Sequence, residues 1–303
     1  MRAAYYEQFG EPDVIQLGTL PAPEPSEKHV IIRIRAAAVG YWDVKQMRGL
    51  SGEQQFPVIP GYEVVGVVII GSGDLQRGDN VVASLTHPGG LAQFVSAPAS
   101  RTVMKPPQVP AVDAAGLVVN GGTALEGLDD RAGLQDHEWL LVTAAAGGVG
   151  SVAVQLGRIR GARVIGVASA ENHELLKDLG AAANFDYHDP EWPAQVRELV
   201  PAGVDVLLDA AGGDTGAAAV TTVRQGGRAL LIAGEPTSIP DGVKAIPYSA
   251  NTNGPRLRAV LDLAARGQLR AITDSTHPLD DARAALERVA SRHSHGRVVL
   301  LVE

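Results

Sequence analysis

The run Ala145-Ala146-Gly147-Gly148-Val149-Gly150 gathers three glycines into one short turn. A dinucleotide's pyrophosphate needs backbone N–H donors at a helix N-terminus and a main chain bare of side chains where the phosphates approach. Gly147 and Gly148 allow that approach, Gly150 lets the following helix lie close to its sheet, and Ala146 and Val149 complete the turn. The first glycine of the usual Gly-x-Gly-x-x-Gly fingerprint is replaced by Ala145. A glycine turn alone is also compatible with a tight strand-to-helix connection that holds no ligand, so its context has to decide.

Cofactor choice depends on the end of the next apolar strand, where an acid would bind the ribose hydroxyls of NADH and repel the 2′-phosphate of NADPH. That strand ends Val167-Ala168-Ser169, without an acid. Ser169 can donate to a phosphate, and Asn172 and Tyr187 are expected within reach. Against this, no Lys or Arg follows at once, and Glu171 lies close by, either facing its own helix dipole or binding ribose. The balance predicts NADPH. Ala211-Gly212 and Ala233-Gly234 close two later strands, where small residues allow a cofactor to lie close.

The elements that must position these residues follow from periodicity. Between about residues 140 and 234, apolar runs alternate with helical patterns, which predicts a parallel sheet covered by helices. Strands are expected at 139–143, 163–168, 204–209 and 228–233. One helix starts in the glycine turn, runs through Val152, Val154, Gln155 and Ile159, and stops by Gly161. The next covers 171–179, with Ser169 as N-cap and Gly180 as the stop. The first 115 or so residues read instead as short strands broken by Pro and Gly, at 30–35, 64–70, 80–84 and 91–96. After Pro255 come helices at 257–266 and 279–291, then a strand at 297–302 that can rejoin the β-rich part.

Composition sets the outer limits. With 303 residues and 45% hydrophobic content, two domains with sizeable cores are expected. Cysteine is absent, which removes disulfides, thiol nucleophiles and thiolate metal sites. A net charge of −8 without a basic run argues against a nucleic-acid partner. The apolar stretch from Val64 to Ile70 is far short of the roughly 20 residues that span a bilayer, and the amino terminus lacks a signal core, so a cytoplasmic protein is expected. No Gly-x-Ser-x-Gly elbow or phosphate-loop lysine is present to carry hydrolase or triphosphatase chemistry.

Several motifs in fixed order resemble the zinc-independent quinone oxidoreductase branch of the medium-chain dehydrogenase/reductase superfamily. They are Pro57-Val58-Ile59-Pro60-Gly61-Tyr62-Glu63-Val64-Val65-Gly66, the glycine turn with Gln155, and Leu179-Gly180-Ala181 leading to Phe185-Asp186-Tyr187. Further matches are Gly203-Val204-Asp205-Val206-Leu207-Leu208-Asp209 with Gly212-Gly213, Gly226-Gly227-Arg228, Gly267-Gln268-Leu269-Arg270 and Gly296-Arg297-Val298-Val299-Leu300. The resemblance implies an α/β protein with a GroES-like β-rich catalytic domain (residues 1–115 and 255–303). It further implies a Rossmann domain, a doubly wound parallel sheet that binds NADP (residues 116–254), a cleft active site and a homodimer.

Within that resemblance the chain departs from the family at the positions nearest the chemistry. Tyr62 stands where zinc-dependent relatives have the His of Gly-His-Glu, so no zinc site of that type is expected. Val39-Gly40-Tyr41-Trp42-Asp43-Val44-Lys45 is similar to the family's Asn-Pro-x-Asp-x-Lys stretch, but Gly40 replaces the Asn and Tyr41 the Pro. Without a metal, charge developing on the acceptor must be met by hydrogen-bond donors and quenched by a proton. Tyr41 is one candidate donor, or an aromatic wall together with Trp42. Tyr62 is its rival, or a packing residue beside the nicotinamide. Lys45 and Asp43 are expected as a structural ion pair or cap rather than a catalytic dyad. Thr123, in Gly121-Gly122-Thr123-Ala124, matches a family threonine that helps hold the nicotinamide, a role compatible with a helix cap. His293 and His295, with His277, read as a solvated loop rather than a metal site.

The resulting expectation is NADPH-dependent reduction of a quinone, an enone or a ketone, on a small-molecule substrate. Two alternatives remain open: a cofactor-binding scaffold without turnover, and a biosynthetic enzyme using the fold for a non-reductive reaction.

Overall fold

The computed structural model describes Met1 to Val302 and separates into two compact units, Met1–Val119 with Thr252–Glu303, and Asn120–Asn251. In the first unit β1 (Arg2–Tyr5) pairs antiparallel with β2 (Gln16–Thr19). The long β3 (His29–Val39) runs straight into α1 (Tyr41–Met47), with only Gly40 between them. β4 (Glu63–Ile70), β5 (Asn80–Ser84), β6 (Phe94–Pro98) and β7 (Thr102–Met104) follow. Along β3, Ile32 and Ile34 are buried while Arg33 and Arg35 face outward, the period-two alternation of a sheet with one covered face. α2 (Ala111–Leu125) then carries the chain past Asn120 and continues as a π-helical turn, Glu126–Arg131.

The second unit is a six-stranded parallel sheet. In chain order it comprises β8 (Trp139–Thr143), α3 (Gly148–Ile159), β9 (Arg163–Val167), α4 (His173–Leu179), β10 (Ala183–Phe185) and α5 (Trp192–Leu199). It continues with β11 (Val204–Asp209), α6 (Gly213–Val220), β12 (Val223–Leu231) and β13 (Lys244–Pro247). The strands lie in the order β10-β9-β8-β11-β12-β13, all parallel, so the winding direction reverses between β8 and β11. Open sheets of this kind bind ligands at that reversal, outside the carboxyl ends of the strands. Gly157 lets α3 lie against the sheet, since a Cβ there would stand 2.7 Å from Val164 Cγ2 and 2.8 Å from Leu140 Cδ2.

The chain returns to the first unit with α7 (Gly254–Ala265), β14 (Thr273–Pro278), α8 (Ala282–Ala290) and β15 (Arg297–Leu301). β15 pairs antiparallel with β3 and parallel with β14, so the last strand completes the sheet that the amino-terminal strands began. The result is the GroES-like β-rich unit and the Rossmann unit that the motifs imply.

Several expected boundaries differ. The opening segment is not purely β: α1 and the start of α2 lie within it, helices that a search for β-branched runs passes over. The helix expected over 279–291 opens as a 3-10 turn, Leu279–Asp281, and ends at Ala290. β10, β13 and β14 carry too few consecutive apolar residues to be marked by periodicity. Among the described residues no helix is long and apolar enough to cross a membrane.

Candidate active site

In the Rossmann unit the glycine turn follows β8 at the winding reversal. Gly147 is the N-cap of α3, has an extended backbone, and has no side chain to bond the first turn. The first N–H groups of a helix have no carbonyl of their own helix to bond, so those of α3 are left for an external acceptor. The three glycines serve different ends. A Cβ on Gly150 would stand 2.8 Å from Ala145 Cα, which closes the helix onto the strand end. A Cβ on Gly148 would stand 2.6 Å from the Asn120 amide nitrogen, so that glycine admits a side chain from α2 rather than only a phosphate. Gly147 has the most room, meeting only the Ala144 carbonyl at 3.1 Å.

The adjacent strand ends are clamped by two residues that motif reading left without a role. Asp209, wholly buried at the end of β11, accepts from Thr143 Oγ1 at 2.5 Å and from the N–H groups of Ala211 and Gly212 at 3.2 and 3.1 Å. Thr143 Oγ1, at the end of β8, accepts in turn from the N–H groups of Ala210 and Ala211. This network fixes the backbone at Ala211-Gly212. Just beyond it, Gly213 and Gly234 have open space where a Cβ would stand. The signal was present as an acid and a hydroxyl ending apolar strands. Ala233 and Gly234 follow the end of β12.

At the ends of β9 and β10, Asn172 is buried and donates its amide to Ser169 Oγ at 2.8 Å, so it orders the serine. Ser169 makes no side-chain capping bond. Its hydroxyl turns toward Glu171 at 3.3 Å, and a 3-10 turn, Ala170–Asn172, precedes α4. Tyr187 is exposed and stacked on His188, with ring centroids 4.1 Å apart. His188 is held by Asp186 Oδ1 at 2.8 Å. Thr123 lies inside α2 rather than at a cap, and its carbonyl accepts from the Tyr248 hydroxyl at 3.0 Å. An uncapped helix start, bare strand ends and a hydroxyl-bearing rim fit a nicotinamide dinucleotide.

In the GroES-like unit the candidates cluster around α1. Asp43, 4% exposed, accepts from the N–H of Gly40 at 2.8 Å and of Gly61 at 2.9 Å, closing a capping box and tying α1 to the segment before β4. Burial pushes its carboxyl up, against those two N–H groups and the Arg297 charge. Asp43 is thus a cap and does not pair with Lys45, whose ammonium sits over the Tyr41 ring at 5.7 Å. Glu63, wholly buried, accepts from Val119 N at 2.8 Å and forms an ion pair with Arg297. Burial lowers the Arg297 guanidinium to about 10, with Asp43 opposing. That guanidinium lies against Gly40, where a Cβ would overlap Nη1 and stand 2.8 Å from Cζ. The side-chain space at position 40 is therefore filled from the far end of the sequence, which no local reading could show.

Tyr62 accepts from Gln46 Nε2 at 2.8 Å, and burial raises its phenol. Tyr41 is half-buried, and its hydroxyl is met by Arg48 Nη1 at 3.4 Å. The residues present do not fit the family's zinc site: cysteine is absent, Tyr62 and Glu63 are committed elsewhere, and among the described residues no three His, Cys, Asp or Glu side chains are grouped to hold a metal ion. His295 N donates to Asp274 and the His293 carbonyl accepts from Arg288, so these histidines lie in a fastened loop.

Family models match the chain twice, as an alcohol dehydrogenase GroES-like domain over residues 26–107 and as a zinc-binding dehydrogenase over residues 148–256. A chloroplast envelope quinone oxidoreductase homolog of Arabidopsis thaliana is 32% identical over 99% of this chain and 98% of its own length. The chain belongs to the medium-chain dehydrogenase/reductase superfamily, in its quinone oxidoreductase-like branch. An NADPH-dependent alkenal/one oxidoreductase of the same plant is 31% identical over 99% of this chain and 79% of its own length. Among solved structures, an NAD-dependent alcohol dehydrogenase superposes with a TM-score of 0.93 at 27% identity, covering all of both chains. A mycobacterial protein complexed with NADPH superposes at 0.90 with 29% identity, covering 99% of each. This member of the superfamily is accordingly an oxidoreductase related to quinone oxidoreductases and alkenal/one reductases, of a superfamily that uses nicotinamide cofactors.

Proposed function

We propose that this oxidoreductase uses NADPH to reduce the activated double bond of an enone, or a related quinone or ketone, without zinc, and that Tyr41 delivers the proton. The observation that carries the reading is the different fate of the two tyrosines. Both hydroxyls accept and so keep their own protons, but Tyr62 is held by a short bond from Gln46 and burial raises its phenol, whereas the half-buried Tyr41 hydroxyl has a single long contact, from Arg48. A phenol O–H is a competent proton donor toward an enolate. When bound, the nicotinamide would supply the hydride. The turn from Ala146 to Gly150, with Ala211, Ala233 and Gly234, would hold the pyrophosphate and its neighbours. Thr123 is assigned to the nicotinamide end, and Tyr62 to packing beside it.

Ser169 and Tyr187 would meet the 2′-phosphate, with Asn172 holding the serine in place. The absence of an acid at residues 167–169 supports NADPH over NADH, as does the NADPH-dependent relative. The assembly proposed is a homodimer, which light scattering would read directly. Cofactor oxidation is to be followed by nicotinamide absorbance against matched enones, quinones and ketones, with both cofactors. Turnover of an enone with NADPH, reduced at least tenfold in Tyr41→Phe, supports the reading. Equal kcat in the variant removes the proton-donor role, and a preference for NADH removes the cofactor assignment.

A further inference from the structure

We infer that Arg297 is a catalytic residue for this reduction, its guanidinium donating a hydrogen bond to the acceptor's carbonyl oxygen as negative charge builds there. The role rests on the reaction proposed at Tyr41, the residue that follows Gly40. Arg297, the first residue of β15, fills the space that Gly40 leaves: a Cβ at position 40 would overlap Nη1 and stand 2.8 Å from Cζ and 3.3 Å from Nη2. Glu63 holds Nη2, whereas among the described residues neither Nη1 nor the buried Nε is hydrogen-bonded. Asp43, the other acid that acts on the guanidinium, gives its two oxygens to the N–H groups of Gly40 and Gly61. The Arg297 side chain is 12% exposed and that of Glu63 not at all, so the guanidinium is the member of the pair that a ligand can reach. Buried donors are nearly always satisfied, and here the folded chain supplies no acceptor.

The chemistry gives that donor its acceptor. Hydride from NADPH forms the new C–H bond at the β-carbon of the enone, and the electron pair of the C=C bond moves toward the carbonyl oxygen. Nη1 meets the enolate oxygen, the Tyr41 proton goes to the α-carbon as the carbonyl re-forms, and the phenolate regains a proton from solvent. A charged donor suits this oxygen, because charge-assisted hydrogen bonds are roughly twice as strong as neutral ones. Burial lowers the guanidinium to about 10, which makes its N–H groups more acidic yet leaves it protonated at neutral pH. Glu63 offsets the resting charge, so the donor is held in place before the substrate arrives.

The test follows enone reduction in Arg297→Lys, whose single ammonium keeps the pairing with Glu63 but has no second nitrogen for the space at position 40. We expect kcat to fall about 100-fold, a usual loss for one oxyanion donor, with the thermal midpoint and NADPH affinity little changed. Gly40→Asn with Arg297→Lys returns an amide donor to that space and should regain at least tenfold, whereas Gly40→Ala with Arg297→Lys should regain nothing. Full kcat in Arg297→Lys overturns the inference. So does a loss that alanine restores as well as asparagine, which marks a packing role, or one carried by weaker NADPH binding, which assigns the guanidinium to the cofactor. A second measurement needs neither turnover nor cofactor: para-nitrophenol, whose phenolate mimics the enolate and absorbs visibly, is titrated with the protein against pH. Bound dye should ionise about one pH unit lower than free dye in the wild type, and not in Arg297→Lys. Equal titration in the two proteins overturns the inference, and if the lysine variant does not fold, an unshifted dye in the wild type does so alone. Absence of enone turnover removes the function reading separately and leaves the dye titration to judge Arg297.

Discussion

Gly40→Ala should destabilise the GroES-like unit far more than its local backbone suggests. Gly40 has φ of −146° and ψ of −178°, an extended conformation that alanine adopts without strain. Taken alone, the substitution would stabilise the fold by about 0.4–1 kcal/mol, because it restricts the unfolded chain. The opposing effect is steric. The new Cβ would overlap Nη1 of Arg297 and stand 2.8 Å from its Cζ, so the guanidinium must leave its place. Its partner Glu63 is wholly buried and retains only the Val119 N–H. Depriving a buried carboxylate of its cation costs about 3–5 kcal/mol, which leaves a net loss of about 2–5 kcal/mol.

The measurement is urea unfolding followed by Trp42 emission in a background where Trp139 and Trp192, both in the Rossmann unit, are phenylalanine. Gly40→Ala is made in that background and again with Arg297→Lys, whose narrower head removes the overlap while keeping the charge. In the lysine background the alanine should cost less than about 1 kcal/mol. Independent sites add to within about 0.5 kcal/mol, so equal costs in the two backgrounds would refute the steric account. Gly40→Asn, which restores the family residue, should behave as badly as alanine or worse in the wild-type background.

Three further outcomes follow from the same geometry. Thr143→Val removes the hydroxyl between Asp209 and two backbone N–H groups, and should cost about 1–3 kcal/mol while weakening NADPH binding, read by denaturation and by cofactor titration. Ser169→Asp places an acid at the end of β9 and should shift the ratio of NADPH to NADH affinity toward NADH by at least tenfold; an unchanged ratio would mean that this strand end does not meet the ribose. Asp274→Asn tests the loop that carries Arg292. Burial works to raise the Asp274 carboxyl, but hydrogen bonds from Arg288, His295 N and Ser275 outweigh it and hold the pKa at about 2. A lowered folded-state pKa stabilises the protein above the unfolded value of about 4 and loses that contribution between about pH 4 and 2. The wild type should therefore exceed Asp274→Asn by about 1–2 kcal/mol at neutral pH, with the gap closing across that acid window.

What local sequence could reveal depended on the range of the interactions. β8 and β11 were legible to the residue, because a parallel strand covered on both faces reads as an apolar run. α3 was legible from its glycine start and its helical spacing, and the ordered motifs carried the fold and the branch of the superfamily. The polar partners were not. Asp43 and Lys45 are neighbours in sequence, yet Asp43 turns inward to Gly61 while Lys45 lies over Tyr41. Gly148 reads as a phosphate glycine, but Asn120 from another helix occupies the space beside it.

The sequence by itself determined the class of protein, the glycine turn between β8 and α3 and the loss of the zinc ligands, since these depend on residue type and short spacing. The tertiary structure decided what replaces the missing side chain at position 40 and which charges surround Tyr41. Arg297 reaches Gly40 because β15 returns to pair with β3, and Arg292 reaches the Tyr41 ring because α8 packs against α1. Contacts between the two ends of a chain are set by sheet register and burial, and they leave no periodic trace in either segment.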